Sequence, residues 1–339
     1  MTMTEVAAEA GVSVMTVSYS YGQPDRVSLD ARERVRQAAL RLGYPGPHPG
    51  ARSLRSGRSR SLGVVLGEKL TYAFDDPQAT RFLSGVATVC LEHQLGMTLI
   101  PITGHPSDVE RVVEAAVDAF VVWTTVDDDP ILDAITSMGR PAAVLGGPAR
   151  PDMALVSIDD RAAAAVIAAV AFARAQRPAV VSFPLDRSRE SRLWLGPDPD
   201  APPFSVTRHR LQGFRDATTA LGIGWSSVQV AVVSRNDAAE ARTLIDTLLS
   251  SHQPPDAIAA MSDELAIGVL RAAAARGVKV PDDLTVTGWD DSAAAEPAGL
   301  TTIAQSLQDQ GERCARLALG APITTQNPPW RLIHRTSTR

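Results

Sequence analysis

The chain has 339 residues, of which 45 % are hydrophobic, and a formal net charge of −5 at pH 7. A chain of this length and apolar content is globular and long enough for two or three domains. Its longest run of small apolar residues, Ala162 to Ala173, is shorter than the roughly 20 residues that span a membrane, and no charged-then-apolar leader is present. These observations predict a cytoplasmic protein without a membrane segment.

Charge is divided unevenly along the chain. Residues 1–60 contain nine arginines and five acidic residues, which gives this part a net charge of +4, whereas residues 61–339 carry −9. A small basic part joined to an acidic body predicts that the first 60 residues meet a polyanion. Charge alone leaves a solvated helix face open as the alternative.

Three short helices are predicted at the start of the chain. Thr2, Ser13 and Ser28 are each placed to cap a helix, and Gly11 ends the first one. The first and third helices each carry one apolar stripe at helical spacing, formed by Met3, Val6, Ala7 and Ala10 and by Val35, Ala38, Ala39 and Leu42. The second helix is predicted from about residue 14 to 21, with Val17 facing the first.

Two short helices joined by a turn that contains glycine form a helix-turn-helix unit, whose second helix enters the DNA major groove. A generic helical bundle has similar elements and is the alternative. The side chains of Ser13, Thr16 and Ser18 favour the DNA interpretation, because short hydroxyls and the free N–H groups of a helix start suit phosphates.

The run TEVAAEAGVSVMTVSYSYGQPDRVSLDARERVRQAALRLGY, residues 4–44, resembles the DNA-binding head of the lactose-repressor (LacI/GalR) family of bacterial transcription regulators. By this resemblance Val14, Met15 and Tyr19 read bases, and Tyr19 stands where the family usually has arginine. The resemblance thus implies a DNA-binding set of Thr4, Ser13, Val14, Met15, Thr16, Ser18, Tyr19, Arg26 and Ser28.

A segment rich in proline and glycine, and then in arginine, follows at residues 45–60. It is a natural domain boundary, and an inert linker is the plain interpretation. Its run ARSLRSG, residues 51–57, resembles the family's hinge helix, which orders on DNA and inserts a leucine into the minor groove. The resemblance implies that Leu54 is this wedge and that Ala51, Arg52 and Arg55 also contact DNA.

Apolar runs and helical stretches alternate from residue 61 onward, which predicts parallel sheets covered on both faces. Ligands of such sheets bind beyond the carboxyl ends of the strands, where this chain places aromatic residues among carboxylates. Rings stack on C–H faces and carboxylates accept hydroxyl hydrogens, so this pattern suits a sugar or another small polyol. The alternative is that the aspartates only cap the following helices.

The runs RHRLQGF at residues 208–214, PDAIAAMSDELAIGVLRAAAARGVKVPDDLTVTGWDD, and RLIHRTST near the end are similar to the family's effector-binding core. That core has two subdomains like those of periplasmic sugar-binding proteins, here predicted at about 61–177 with 292–320 and at about 178–291 with 321–339. Trp289 stands where the family usually has phenylalanine or tyrosine. The effector site implied by the resemblance consists of Phe74, Trp123, Asp160, Arg210, Ser262, Trp289 and Asp290.

Residues 187–204, RSRESRLWLGPDPDAPPF, are interpreted as an inserted proline-rich loop near the mouth of the cleft. This loop either contacts the effector or decorates the surface. The two cysteines, Cys90 and Cys314, lie far apart in helical segments and are predicted to be reduced core thiols rather than a disulfide or metal ligands.

The predicted fold is a small all-α helix-turn-helix head joined to an α/β periplasmic-binding-protein-like core of two doubly wound parallel-sheet subdomains. The predicted function is that of a homodimeric repressor, which binds a pseudo-palindromic operator and responds to a sugar effector without a cofactor or a metal. A regulator that needs a nucleobase or another metabolite as corepressor is the alternative. The carboxylates of VDDDP and GWDD lack the accompanying motifs of a metal-dependent hydrolase, and a periplasmic binding protein has no use for the basic head.

Overall fold

The chain packs as two separate units, Met1–Arg60 and Ser61–Arg339. The structure, a computed structural model, describes residues 1–46, 58–67, 71–322 and 328–339. The predicted hinge contacts Ala51, Arg52, Leu54 and Arg55 lie outside the described residues. We call the first unit the head and the second the body.

The head consists of three helices around one small core, as the sequence predicts. The side chains of Thr2, Ser13 and Ser28 accept hydrogen bonds from the first turns of their helices, and Gly11 and Gly43 end the first and third helices with φ of 62° and 64°. The helices are α1 (Met3–Ala10), α2 (Val14–Gly22) and α3 (Leu29–Leu42). Their shared core is made of Val6, Ala7, Ala10, Val17, Val35, Ala38 and Ala39.

The first half of the body forms a five-stranded parallel sheet, which we call the N-lobe sheet, with the order β2-β1-β3-β4-β5. Its strands are β1 (Ser61–Leu66), β2 (Gly96–Pro101), β3 (Ala119–Trp123), β4 (Ala142–Leu145) and β5 (Ala154–Val156). The helices that follow these strands are α4 (Tyr72–Asp75), α5 (Pro77–Glu92), α6 (Ser107–Glu114) and α7 (Pro130–Ser137). Helices α6 and α7 share a buried core with one face of the sheet.

Helix α12 (Leu307–Ala318), although late in the chain, packs on this N-lobe sheet beside α5. Glycine is required at this contact. A Cβ at Gly85 would lie 2.0 Å from the carbonyl oxygen of Gln308, and one at Gly311 would lie 2.2 Å from that of Phe82. Cys90 and Cys314 are both buried in the core between these two helices as free thiols, as predicted.

The second sheet of the body, the C-lobe sheet, has the order β10-β9-β6-β8-β7. Its strands are β6 (Pro178–Ser182), β7 (Arg192–Leu195), β8 (Gln229–Val232), β9 (Ala257–Ala260) and β10 (Thr285–Thr287). The surrounding helices are α8 (Asp160–Phe172), α9 (Ser205–Ala220), α10 (Ala238–Leu249) and α11 (Asp263–Ala275). A two-stranded antiparallel pair, β11 (Thr302–Ala304) and β12 (Arg331–Ile333), completes the body.

The proline-rich insert is not simply a loop. Its residues 192–195 form β7, which pairs antiparallel with β8 at the edge of the C-lobe sheet. The remaining strand pairs of this sheet are parallel, so β7 is the exception to the predicted parallel pattern.

The buried cores divide the body at other positions than the sequence predicts. Helix α8 was assigned to the first subdomain by the predicted boundary at 177, yet its apolar residues belong to the core of the C-lobe sheet. Leu300 and Ile303 belong to that core too, although the predicted return to the first subdomain is at 292. The chain therefore crosses between the lobes near residue 158 and returns near residue 306. Helix α8 packs closely against α9 of the C-lobe. This approach requires glycine at position 213, because a Cβ there would lie 2.3 Å from the carbonyl oxygen of Arg161 on α8.

Within the described part of the chain, no helix is both long and apolar enough to cross a membrane. The same residues contain no group of histidine, cysteine and carboxylate side chains arranged to hold a metal ion.

Candidate functional site

A cavity of about 160 Å³ lies in the body at the carboxyl ends of strands from both sheets. The N-lobe contributes Trp123 and Leu145 from the ends of β3 and β4, and the C-lobe contributes Phe183 directly after β6. This is the position at which ligands of open parallel sheets bind. Its polar and charged lining includes Asp76, Gln78, Asp160, Arg189, Arg210, Arg235, Asn236, Asp290, Gln305 and Gln310.

A buried ion pair lies at the base of the cavity. Arg210 Nε donates to Asp160 Oδ1 at 2.8 Å, and the two side chains are only 6 % and 3 % exposed. The guanidinium also donates to the carbonyl oxygen of Met261 and lies 3.9 Å from the ring centroid of Trp289. A buried guanidinium is tolerated when it is paired, hydrogen-bonded and stacked in this way, and these contacts fix its orientation towards the cavity.

Asp290 is another carboxyl group that lines the cavity. Its Oδ1 accepts a hydrogen bond from Gln305 Nε2 at 2.7 Å, and Gln305 Oε1 accepts one from Gln310 Nε2 at 3.0 Å. Burial raises the pKa of Asp290 well above its ordinary value, although the charge of Arg210 opposes this shift. Gln310 lies on α12, so this chain of side chains links the C-lobe to an N-lobe helix.

Beside Asp290, Asp263 is a buried carboxylate that begins α11. It accepts hydrogen bonds from the backbone N–H of Ser292 at 2.6 Å and from Thr302 Oγ1 at 2.7 Å. Burial nevertheless raises the pKa of Asp263 to about 6. Asp263 therefore supports the loop that carries Asp290 rather than facing the cavity itself.

Direct hydrogen bonds join the two lobes around the cavity. Asp76 caps α5 through its Oδ1 and accepts a hydrogen bond from Asn236 Nδ2 of the C-lobe at its Oδ2, 2.8 Å away. Asn236 Oδ1 in turn accepts from Ser262 Oγ at 2.5 Å. On another side, Asp127 of the N-lobe accepts from Arg208 Nη1 of the C-lobe at 2.7 Å. These contacts hold the lobes together without passing through a ligand.

Four of the seven predicted effector residues line the cavity, namely Trp123, Asp160, Arg210 and Asp290. The other three lie elsewhere for different reasons. Phe74 is 67 % exposed and does not line the cavity. Ser262 is buried, where it caps α11 and holds Asn236. Trp289 is fully buried behind Arg210, so its ring packs against the guanidinium and does not line the cavity.

Several lining residues were missed from the sequence. Asn236 follows β8 in a polar run without an aromatic or repeated carboxylate signal. Arg189 and Phe204 lie near the two ends of the insert, whose function the sequence left open. Gln305 and Gln310 lie where the chain returns to the N-lobe. They were missed because the sequence predicts this return earlier, at residue 292.

The exposed face of α2 carries the predicted base-reading residues. Val14 and Met15 are 42 % and 60 % exposed, so both side chains are accessible on this face. Tyr19 lies beneath the guanidinium of Arg26, whose Cζ is 4.9 Å from the ring centroid. The guanidinium of Arg26 thus lies next to Tyr19, the position at which the resemblance predicts base reading.

Two of the remaining predicted head contacts, Ser13 and Ser28, cap helices. Ser13 Oγ accepts from the backbone N–H of Thr16 at 3.0 Å and is 2.9 Å from Thr16 Oγ1. Ser28 Oγ accepts from the N–H of Ala31 at 3.3 Å. Thr4 is exposed on α1, and Ser18 is partly buried on α2. The hydroxyls of Ser13 and Ser28 thus have a capping role whether or not DNA is bound.

Comparison with known proteins connects these two parts of the molecule. The family model "Bacterial regulatory proteins, lacI family" matches residues 2–46, and the model "Periplasmic binding protein-like domain" matches residues 194–338. An HTH-type transcriptional regulator of Mycobacterium tuberculosis is 36 % identical over 326 residues, which cover 95 % of this chain and 91 % of that protein.

Two solved structures have the same fold over nearly the whole chain. One is the lac repressor dimer bound to operator and an anti-inducer, with a TM-score of 0.76, 21 % identity, and coverage of 99 % of this chain and 98 % of that one. The other is the complex of the transcriptional regulator CelR with cellobiose, with a TM-score of 0.66, 24 % identity and 99 % coverage of both chains. Together with the helix-turn-helix head and the two-lobed body, these matches show that the chain belongs to the lacI family of bacterial regulatory proteins and is a DNA-binding transcriptional regulator.

Proposed function

We propose that the protein is a homodimeric, cytoplasmic repressor whose heads bind a pseudo-palindromic operator. A small polyol, most simply a sugar, binds in the cavity of the body and releases the repressor from the operator. The observation that carries the effector proposal is the cavity itself. It combines the buried pair of Arg210 and Asp160, the carboxyl of Asp290 and the ring of Trp123 at the carboxyl ends of both sheets. Rings and oriented polar groups together suit the C–H faces and hydroxyls of a polyol.

The DNA-binding part of the proposal rests on the exposed face of α2. Val14, Met15 and Tyr19 face away from the head core, and the basic charge of residues 1–60 supplies the attraction to phosphates. Two copies related by a two-fold axis would meet two half-sites of an operator. The lac repressor structure is a dimer on its operator, which supports this arrangement. The predicted hinge contacts, with Leu54 as the wedge, remain part of the proposal.

The effector acts, in this proposal, by changing the hydrogen bonds between the lobes. Asp76–Asn236 and Asp127–Arg208 join the lobes directly, so a ligand that binds one lobe arrangement better than another shifts the equilibrium between them. A coupling of roughly 1 to 3 kcal/mol would change operator affinity about 5-fold to 150-fold. The CelR complex with cellobiose supports a carbohydrate as the class of effector.

The DNA proposal is tested by selecting binding sites from random duplexes with the full-length protein and measuring affinity by fluorescence anisotropy at fixed salt. We expect a pseudo-palindrome, and we expect Met15→Ala to lower affinity for the selected site but not for unrelated DNA, because base contacts specify and phosphate contacts do not. Leu40→Ala is the matched control, since Leu40 is 64 % exposed on α3 and Met15 is 60 % exposed. Equal losses in both variants would contradict the assignment of α2.

The effector proposal is tested by adding single sugars to the complex with the selected operator. Release of DNA indicates an inducer, and tightening indicates a corepressor. Arg210→Lys should abolish the response while operator binding persists, because lysine lacks the planar group that donates to both Asp160 and the carbonyl oxygen of Met261. A normal response in this variant would show that the effector binds elsewhere.

A further inference from the structure

We propose that the insert at residues 187–204 is a wall of the effector cavity, that it limits the effector to one neutral six-membered or five-membered polyol ring, and that Arg189 is a specificity-determining residue that binds this ring. This inference rests on the proposed function, since it concerns the ligand of the same cavity.

The path of the insert supports this role. The insert leaves the cavity, forms β7 at the edge of the C-lobe sheet, and returns to the cavity. Arg189 near its start and Phe204 at its end both line the cavity, and the Cζ of Arg189 lies 5.3 Å from the centroid of the Phe204 ring. Both ends of the insert thus supply side chains to the cavity lining.

The backbone at Arg189 has a conformation that the surrounding structure must hold in place. Its φ is 51°, in the left-handed region that arginine rarely adopts. Thr124 and Asp290 also have positive φ, of 21° and 110°, and line the same cavity. Strained backbone of this kind persists where the surrounding structure holds it, and it is concentrated at functional sites.

The contacts around the cavity set the size of its occupant. A cavity of about 160 Å³ is close to the roughly 150 Å³ engineered cavity that accommodates one benzene ring in another protein. Arg189 Nη2 donates to the carbonyl oxygen of Gly67 across the lobes at 3.3 Å, and Asn236 Nδ2 donates to Asp76 at 2.8 Å. A single ring therefore matches the cavity while both contacts stay in place, and we expect a disaccharide to bind less tightly.

The charges that line the cavity favour a neutral ligand. The described lining residues include three guanidinium groups and three carboxyl groups, namely Arg189, Arg210 and Arg235 with Asp76, Asp160 and Asp290. Arg210 is committed to Asp160, which leaves the base of the cavity without an uncompensated cation. A phosphate or carboxylate on the ligand would lie beside carboxyl groups as well as guanidinium groups. Ligand hydroxyls can donate to Asp76 and Asp160, and they can accept from Arg189 and from Asp290, whose raised pKa favours its protonated form.

The test is isothermal titration calorimetry on the full-length protein with defined probes. Glucose, galactose, ribose and inositol represent single neutral rings, cellobiose represents two rings, and glucose 6-phosphate represents an anionic ring. We expect at least one single neutral ring to bind at least tenfold tighter than cellobiose and glucose 6-phosphate. Tighter binding of either of those two, or no binding of any single ring, overturns the inference.

Variants then test the role of the insert with the ring that binds best. Arg189→Ala should weaken its binding at least tenfold and reduce its preference over cellobiose, and Arg189→Gln should show a smaller loss because it keeps one donor. Trp194→Ala is the matched control, since Trp194 lies in the same insert, is 42 % exposed and does not line the cavity. Unchanged binding in Arg189→Ala, or an equal loss in Trp194→Ala, overturns the assignment of Arg189. Circular dichroism of each variant verifies the fold.

Operator affinity, measured by fluorescence anisotropy on the same preparations, distinguishes failure of the proposed effector control from failure of the specificity inference. Ring binding that leaves operator affinity unchanged contradicts the proposed effector control and leaves the specificity inference intact. An operator response to cellobiose alone contradicts the specificity inference and leaves effector control intact.

Discussion

The head and the cavity use arginine in opposite ways. On the head, Arg36 pairs with Glu33 where both side chains are more than half exposed, so water shares in solvating the charge. In the cavity, Arg210 and Asp160 are almost completely buried, and protein groups replace the water. Exposed guanidinium groups attract a polyanion over a distance that salt limits, whereas a buried pair orients hydrogen-bonding groups at fixed positions. The difference teaches that the same residue type is solvated mainly by water in one unit and by protein groups in the other.

The largest effect expected from this comparison is that of Arg210→Ala. The substitution leaves the carboxylate of Asp160 buried without its partner, which should lower the free energy of unfolding by about 3 to 5 kcal/mol. Urea denaturation followed by circular dichroism measures it. Arg161→Ala is the control, because Arg161 pairs with Asp216 where the side chains are 52 % and 37 % exposed, and its loss should cost less than about 1 kcal/mol. Similar losses would remove the distinction between buried and exposed pairs.

Buried and exposed carboxyl groups differ in the same way, and the pH dependence of stability should show this difference. Burial raises the pKa of Asp263 to about 6, so between its ordinary value and pH 6 the folded protein binds a proton that the unfolded chain has lost. The contribution of Asp263 to the free energy of unfolding should therefore be greatest at low pH and be lost as pH rises to 6 and above. At about 1.4 kcal/mol per pKa unit, the shift from 3.8 to about 6 corresponds to a loss of about 3 kcal/mol.

The measurement is the unfolding free energy of the wild type and of Asp263→Asn between pH 4 and 7. The variant should lose this part of the pH dependence, and Asp290, whose pKa is shifted in the same direction, should supply what remains. On the head, hydrogen bonds from Arg36 and Gln37 lower the pKa of Glu33 to about 2, so its contribution is lost only as pH falls towards 2. Identical pH profiles for the wild type and Asp263→Asn would show that Asp263 is not the titrating group.

A smaller effect is expected from Arg26→Ala on DNA binding. Arg26 is exposed and stacked on Tyr19, so its removal should reduce the slope of log affinity against log salt by about 1 if it contacts a phosphate. Anisotropy at several salt concentrations gives this slope. An unchanged slope combined with relaxed sequence preference would instead assign Arg26 to base reading beside Tyr19.

The smallest effect belongs to Arg36→Ala. Its pair with Glu33 is exposed and spans one helical turn, so water screens the interaction and the free energy of unfolding should change very little. A much larger loss in thermal unfolding of the head would mean that exposed arginines on α3 support the fold as Arg210 does.

The head could be predicted almost completely because its structure depends on neighbouring residues. Thr2, Ser13 and Ser28 cap the helices that follow them, and the apolar stripes face a single core. In the body, Asp160 and Arg210 were predicted from the family pattern and are joined in the structure, although that pairing depends on the distant helices α8 and α9.

Other features of the body could not be read from local pattern. An amphipathic helix such as α8 shows that it has a buried face but not which sheet covers that face, which is why the predicted boundary at 177 differs from the crossing near 158. Arg189 enters the cavity through a left-handed residue within an insert, and no periodicity or capping signal announces such a turn. Loop geometry therefore decides the part of the site that the sequence left open.

The positions of Cys90 and Cys314 have a practical consequence. Both thiols are buried between α5 and α12, and burial raises the pKa of each, so at neutral pH they remain protonated and shielded from alkylating reagents. A labelling experiment therefore needs no cysteine-free background. One introduced cysteine on the exposed surface of each lobe would accept a fluorophore pair selectively, and energy transfer between the dyes would follow the distance between the lobes as a ligand enters the cavity.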